Sequence, residues 1–367
     1  MDTYRVIDAD GHILEPPDLF ERYIEAPFRG IAPRLVSDNH GYERLLVEGL
    51  LHPKPEGRAV GITQGFNYGG RQRYTDQLPG GFEPHARIKD MDLEGIERAA
   101  LFPTLGLAFG AVEQIPLAAA ICRAYNNWLA DYCRAYPDRL IGIGAVPIQD
   151  VEEAIREMRR VVKDLGFKGI FLRPNPHCGR NWENPVYDPF YAEAEALGVP
   201  LMFHEGTGNH MPTAGIERYD NFFFTHTISH PFEMMLASLS TICGGVLERF
   251  PKLTVVFLEA GCSWMPYWLW RMDEHYEKRP QEVPWLRMKP SEYFQRQCYI
   301  SCDPDETTMP QGVEGLGEDK VIFASDYPHW DAVFPGAVKE IRERAGLSES
   351  AKRKILGENA ARLYGLM

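Results

Sequence analysis

The sequence predicts an α/β protein built as a (β/α)8 barrel, and three observations lead to this fold class. Short runs of β-forming residues recur eight times along the 367-residue chain, with helix-type segments between them. The runs are almost entirely apolar, which is typical of parallel strands buried on both faces. A doubly wound open sheet is the alternative, but no G-x-G-x-x-G follows the first run, so the barrel is favoured.

The elements follow one another in a regular alternation. Strands are predicted at 4–10, 98–103, 140–147, 168–174, 199–206, 253–261, 297–302 and 320–326. Helices are predicted at 115–139, 150–167, 186–198, 232–250, 264–279 and 348–366, the last in two pieces because Gly-Glu-Asn interrupts it. The helix at 150–167 shows the clearest signals, since Asp150 can cap its N-terminus and two glutamates follow in its first turn.

Residues 17–88 do not fit this repeat. The stretch is rich in Gly, Pro and Arg and includes GITQGFNYGGRQRY. We interpret it as a long insertion after the first strand of a single domain covering 1–367. Because the loop after a barrel strand rises from the catalytic face, the insertion is expected to form a lid or an interface. Its GFNYGG segment should be the more mobile part, and Arg71 or Arg73 is a candidate for contacting an acidic substrate.

Composition excludes several classes of function. The formal charge of -13 and the pI of about 5.4 disfavour a nucleic-acid partner. No basic amphipathic helix, no apolar stretch of about 18 residues and no signal-peptide pattern is present, so neither membrane binding nor secretion is expected. The seven cysteines lack paired CxxC spacing and are typical of reduced thiols in a cytoplasmic protein.

Polar residues cluster where the predicted strands end. Asp8, Asp10 and His12 alternate at the end of the first strand, so they share one face. The other strand-end candidates are Arg173 and His177, His204 and Glu205, Glu259, and Asp326 with His329. Since the carboxyl ends of barrel strands form one face, these side chains are expected to meet there. Imidazole and carboxylate ligands of this kind suit zinc, iron or manganese.

Four segments resemble the amidohydrolase superfamily, and within it the amidohydrolase-2 branch that contains aminocarboxymuconate-semialdehyde decarboxylase and the resorcylate decarboxylases. They are IDADGHIL, DPFYAEAEALGVPLMFHEG, GGVLERFPKLTVVFLEAG and FASDYPH. The resemblance implies a metal held by Asp10, His12, His204 and Asp326, and a homodimer. Two positions depart from the pattern. Asp10 stands where many relatives carry histidine and others glutamate, and Glu259 in FLEAG stands where the related decarboxylases carry histidine. His230 is a candidate for the missing imidazole, while Glu259 is a candidate base or a ligand of a second metal.

The departure at Glu259 favours hydrolysis over decarboxylation. The predicted reaction is attack of metal-activated water on an amide, ester or thioester of a small, aromatic or cyclic carboxylic acid. The alternatives are non-oxidative decarboxylation of an aromatic or muconate-like acid and, less favoured, a vestigial site in a binding protein. The predicted residues are Asp326, Glu259 and His230 for catalysis, and Arg173, His177 and His329 for substrate binding.

The cofactor is predicted to be one or two divalent ions, zinc first and iron or manganese as alternatives. A metal-binding pair of His226 and His230 would require that segment to be helical, and Pro231 argues against a helix there. No partner is expected apart from a small-molecule substrate and a second copy of the chain.

Overall fold

The computed structural model describes residues 4–54, 73–207 and 209–367. Its strands, numbered in chain order, are β1 Ile7–His12, β2 Arg34–Ser37, β3 Glu43–Val47, β4 Leu50–His52, β5 Arg98–Phe102, β6 Leu140–Ala145, β7 Gly169–Leu172, β8 Leu201–Phe203, β9 Val255–Phe257, β10 Cys298–Cys302 and β11 Val321–Phe323. Eight of them form one parallel sheet in the order β1-β5-β6-β7-β8-β9-β10-β11. The residues after β11 return to β1, where Asp326 N donates to Asp10 O at 3.0 Å, so the sheet is a nearly closed barrel. The predicted (β/α)8 fold is therefore confirmed.

Helices surround this barrel. They are α1 Leu19–Tyr23, α2 Pro84–Glu94, α3 Ile115–Arg134, α4 Val151–Lys163, α5 Asp188–Leu197, α6 Phe222–Ile242, α7 Val246–Arg249, α8 Met265–Lys278, α9 Pro290–Gln297, α10 Met309–Leu316, α11 Ala337–Glu343, α12 Glu349–Arg353 and α13 Asn359–Leu363. Asp150 caps α4 as predicted, since its side chain accepts a hydrogen bond from Glu153 N. The apolar strands and the inner faces of the helices form one continuous core.

The helix after β8 begins much earlier than the sequence suggests. It was predicted to start at 232, but α6 starts at Phe222 and continues through Pro231. A proline inside a helix removes one backbone hydrogen bond and costs about 3 kcal/mol. Burial of Met234, Ala237 and Ile242 on the inner face of the same helix offsets that cost. The predicted start of this helix at 232 was therefore wrong.

The last helical segment supports the first strand. Between α12 and α13 the chain makes one π-helical turn, Lys354–Glu358, which corresponds to the predicted interruption. Gly357 in this turn faces the carbonyl oxygen of Arg5 so closely that a Cβ atom would overlap it. Further along, Tyr364 Oη donates to Ala9 O at 2.8 Å. The segment thus fixes β1, the strand that carries Asp8, Asp10 and His12.

The region after β1 contains a small antiparallel sheet of β2, β3 and β4. It contacts loops that follow barrel strands: His210 Nε2 lies 3.0 Å from Leu51 O, and the Glu48 carboxylate accepts from Glu113 N and Gln114 N at 2.7 and 2.8 Å. The GFNYGG segment and Arg71 lie outside the described residues, and Arg73 is exposed. The lid or interface role of 17–88 remains a prediction, as does the single-domain boundary.

Membrane insertion was not expected from the sequence. None of the helices within the described ranges is both long enough and apolar enough to cross a bilayer.

Candidate metal centre

Two buried histidines face each other at the carboxyl ends of β1 and β8. His12 Nδ1 lies 3.0 Å from Pro103 O and His204 Nδ1 lies 2.7 Å from Glu205 O, so in each ring Nδ1 carries the proton and donates. The two Nε2 atoms lie 2.9 Å apart. Burial lowers the pKa of His204, but the charges of Glu259 and Asp10 outweigh burial and raise it to about 9, so without a cation His204 Nε2 carries a proton that a bound metal would replace. Two nitrogens bound at adjacent positions of one cation, at about 2.1 Å each, lie about 3 Å apart. The geometry fits a shared metal ion.

Asp10 supplies a carboxylate to the same point. Its Oδ1 lies 3.7 Å from the Nε2 atoms of both His12 and His204, and the residue is fully buried. Neither carboxylate oxygen has a hydrogen-bond donor among the described residues. Burial raises the pKa of Asp10 well above its usual range, although the charge of His204 opposes the rise. Because a buried carboxylate without donors is costly unless a cation compensates it, Asp10 also fits a metal ligand.

Asp326 closes the centre from the end of β11. Its backbone has a left-handed φ of 53°, unusual for a residue other than glycine, and its Oδ1 lies 3.5 Å from His12 Nε2. The same oxygen lies 2.7 Å from His329 Nδ1, and His329 Nε2 lies 2.9 Å from Thr104 Oγ1. Burial lowers the pKa of His329 to about 4, so the ring is neutral at pH 7. His329 therefore lies between Asp326 and Thr104 and contacts both, which limits the movement of the carboxylate.

Glu259, the departure from the family pattern, lies between two imidazoles. Its Oε2 is 2.5 Å from His204 Nε2 and its Oε1 is 3.4 Å from His230 Nε2. Burial raises the pKa of Glu259, but the charges of His204 and His230 outweigh burial and hold it well below its usual range. Like Asp326, Glu259 has a left-handed φ, here 50°.

Two arginines that could otherwise pair with Glu259 are engaged elsewhere. Arg173 pairs with Glu205 at 2.8 Å and Arg271 pairs with Glu274 at 3.1 Å. Glu259 therefore belongs to the histidine cluster rather than to a salt bridge with arginine.

His226 and His230 lie one turn apart on α6, with ring centroids 4.6 Å from each other. Together with Glu259 they form a group whose ligand atoms lie within 4.8 Å of one another. The expectation that Pro231 would prevent this pairing is wrong, because the helix continues through the proline.

Arg173 and His177 are buried beside the centre rather than open to it. The Arg173 guanidinium donates to Leu107 O and Gly206 O in addition to its pairing with Glu205. Burial, together with the charge of Arg173, lowers the pKa of His177 to about 3. Neither belongs to the side-chain groups that converge as possible metal ligands within the described residues. Their substrate-binding roles remain predictions.

Two acidic residues near the centre were missed by the sequence analysis. Asp303 directly follows β10, and burial, followed by the charges of Glu306 and Glu259, raises its pKa to about 8. Asp331 lies just beyond His329, and burial, then Glu259, raises its pKa to about 6. The signal for Asp303 was available, because an acid after the apolar run QCYISC resembles Glu259 after LTVVFL. Asp331 follows its strand at a greater distance and gives no comparable signal.

Comparison with known proteins identifies relatives over most of the chain. The amidohydrolase-2 family model, described as Amidohydrolase, matches residues 7–366. A 2-amino-3-carboxymuconate-6-semialdehyde decarboxylase of Dictyostelium discoideum is 30% identical over 78% of this chain and 77% of its own length. A gamma-resorcylate decarboxylase of Rhizobium sp. is 29% identical, covering 76% of this chain and 86% of the relative. A solved amidohydrolase of Mycobacterium avium subsp. paratuberculosis is 25% identical, has a TM-score of 0.82, and covers 100% of this chain and 99% of that protein.

These findings correct one prediction and support others. The two curated relatives are named as decarboxylases, so the prediction of hydrolysis is wrong and its alternative, decarboxylation, is better supported. An enzyme with a divalent metal ion agrees with both the family and the donor set, whereas zinc in particular is not shown. The family match spans nearly the whole chain, and the strand-end residues that suggested it converge in the structure. This chain therefore belongs to the amidohydrolase-2 family.

Proposed function

We propose that the chain is a metal-dependent, non-oxidative decarboxylase of an aromatic or muconate-like carboxylic acid. The observation that carries the proposal is the convergence of Asp10, His12, His204 and Asp326 in a chain whose relatives are named as decarboxylases. A divalent ion bound by these four residues would act as a Lewis acid toward the substrate carboxylate and a neighbouring oxygen.

The reaction replaces a carboxylate on carbon by a proton. The bond to the carboxylate carbon breaks, its electron pair stays on the substrate carbon, carbon dioxide leaves, and a proton is added. Asp326 is the proposed proton donor, because burial and then the charge of Glu259 raise its pKa well above its usual range. His329 Nδ1 lies 2.7 Å from this carboxyl group and limits its movement. Glu259 and His230 are the polar side chains that lie next to the four proposed metal ligands.

The decisive experiment measures carbon dioxide. Purified protein reconstituted with metal is incubated with dihydroxybenzoates, including gamma-resorcylate, and with aminocarboxymuconate semialdehyde, while carbon dioxide and the decarboxylated product are quantified. The product formed in D2O should carry one deuterium at the carbon that lost the carboxylate. Asp326→Asn is the matched variant and should lose at least about 100-fold in rate. Absence of carbon dioxide across the panel, with the metal bound, would contradict the proposal.

Metal identity, assembly and location belong to the same proposal. Zinc is the proposed ion, and manganese is its competitor because the carboxylate-rich donor set suits both. Reconstitution of metal-free protein with each ion, followed by the rate measurement, separates them.

A homodimer is proposed, to be tested by sedimentation. The seven cysteines are all free, which supports the proposed cytoplasmic location, to be tested by cell fractionation.

A further inference from the structure

A second group of possible metal ligands adjoins the four-residue centre. His226 and His230 project from successive turns of α6 toward Glu259, and their ligand atoms and those of Glu259 lie within 4.8 Å of one another. The two groups meet at Glu259, whose Oε2 faces His204 and whose Oε1 faces His230. A carboxylate with one oxygen directed at each group has the arrangement of a bridging ligand.

The second group has suitable donor chemistry. His230 Nδ1 lies 3.1 Å from Ser229 Oγ, which orients the ring so that Nε2 faces Glu259. Asp331 Oδ2 lies 3.7 Å from His226 Nε2 and is a further oxygen ligand within reach. Two imidazoles and two carboxylates are a common donor set for a divalent cation.

The charge balance also favours a second cation. Five acidic side chains influence one another at this end of the barrel: Asp10, Glu259, Asp303, Asp326 and Asp331. Among the described residues, their ion pairs involve histidines and neither lysine nor arginine. A second ion would reduce this repulsion.

We propose that His226, His230 and Glu259 form a second divalent-cation site, with Glu259 shared between the two ions. This inference rests on the proposed function only for the four-residue centre. The second ion would help to position the anionic substrate. The alternative is that these three side chains form ion pairs and bind no metal.

Manganese alone is the probe. Metal-free full-length protein is titrated with Mn2+, the bound equivalents are counted by elemental analysis after gel filtration, and the electron paramagnetic resonance spectrum is recorded. Wild type should bind two equivalents and give a spectrum broadened by interaction between neighbouring ions. His226→Gln should bind one equivalent and give an isolated-ion spectrum, with the circular dichroism spectrum unchanged. His40→Gln, an exposed histidine on the small sheet, is the control and should behave as wild type.

The outcomes separate this inference from the proposed function. Saturation of wild type at one equivalent would overturn the second site, and so would two equivalents in both wild type and His226→Gln. Carbon dioxide release by a protein that holds only one ion would uphold the decarboxylase proposal while overturning this one. Two bound ions without any decarboxylation would support the second site and contradict the decarboxylase proposal.

Discussion

The buried position of Asp10 beside two histidines makes its carboxylate a candidate metal ligand. It is fully buried, and the nearest basic atoms are the Nε2 atoms of His12 and His204, each at 3.7 Å. We expect Asp10→Asn to weaken metal binding by more than about 100-fold, since loss of a supporting residue alone typically costs about 10–100-fold. Calorimetric titration with Mn2+ measures the change.

Asp18→Asn is the matched control for Asp10→Asn, because Asp18 is an exposed acid outside the centre. Equal metal affinity in Asp10→Asn and wild type would remove Asp10 from the ligand set.

Glu259 is the second informative residue. Glu259→Gln keeps the shape of the side chain but removes the charge that pairs with His204 and His230. We expect the fold to remain intact while the rate falls by about 10²–10⁴. Melting temperature, bound metal and rate should be measured on the same preparation. A wild-type rate with unchanged metal content would contradict a catalytic role for Glu259 and make His230 the next candidate.

The residues of the centre were predictable to different degrees, for physical reasons. Asp10 and His12 lie at the end of β1, and His204 and Asp326 come just after β8 and β11, so they were predictable because strand ends converge in a barrel. His329 was expected to bind substrate, but its contacts with Asp326 and Thr104 cross from one strand end to another. Such a partnership depends on the three-dimensional path of two loops, which spacing along the sequence does not encode.

At the scale of elements, Pro231 shows where local rules fail. The rule that the residue before proline avoids helical geometry is local, whereas α6 is held by the burial of its inner face against the barrel. The strands were easier to predict, because an almost entirely apolar run such as LTVVFL is typical of a parallel strand buried on both faces. Among the barrel strands the boundaries moved most at β9, which was predicted over 253–261 and ends at Phe257, ahead of Glu259.

The π-helical turn offers a test of element packing. Gly357→Ala would place a methyl group against the Arg5 carbonyl, and we expect a loss of about 1–3 kcal/mol in the free energy of unfolding. Gly30→Ala is the control, because nothing lies within 4 Å of its added Cβ. Urea denaturation measures both variants. If Gly357→Ala were as stable as Gly30→Ala, the proposed support of β1 by this segment would be refuted.

The turn between β2 and β3 should respond to pH. Burial raises the pKa of Asp38, but hydrogen bonds from Tyr42 N, Arg44 and His40 N outweigh burial and lower it. A lowered folded-state pKa stabilises the sheet above the unfolded value of about 3.8, and this contribution is lost as the pH falls further. Asp38→Asn should therefore speed amide exchange in β2 and β3 at pH 7, with a difference that shrinks below about pH 4.

Hydrogen exchange followed by mass spectrometry checks the Asp38 prediction. The exposed acid Asp220 provides the matched control as Asp220→Asn. A difference between Asp38→Asn and wild type that stays constant down to pH 3 would contradict the assignment.

At the scale of the whole molecule, the metal ligands come from strands that lie far apart in sequence. His12 ends β1, His204 follows β8 and Asp326 follows β11, so one ion would connect the beginning, middle and end of the barrel. A ligand that binds only the folded state adds RT ln(1 + [L]/Kd), about 2.7 kcal/mol at a hundredfold excess over Kd. Without the ion, the clustered carboxylates must instead be protonated or repel one another.

Removing the metal should therefore lower the stability of the entire barrel rather than loosen one loop. We expect chelated wild-type protein to melt about 3–4 °C below the same protein with Mn2+ at a hundredfold excess over Kd, given the usual entropy of unfolding for a large domain. Differential scanning calorimetry at pH 7 measures the shift, and it should grow with the logarithm of the Mn2+ concentration. Asp10→Asn serves as the control, since it should show little shift at the same concentrations. A melting temperature independent of Mn2+ in wild type would mean that the convergent ligands do not hold a metal in the folded state.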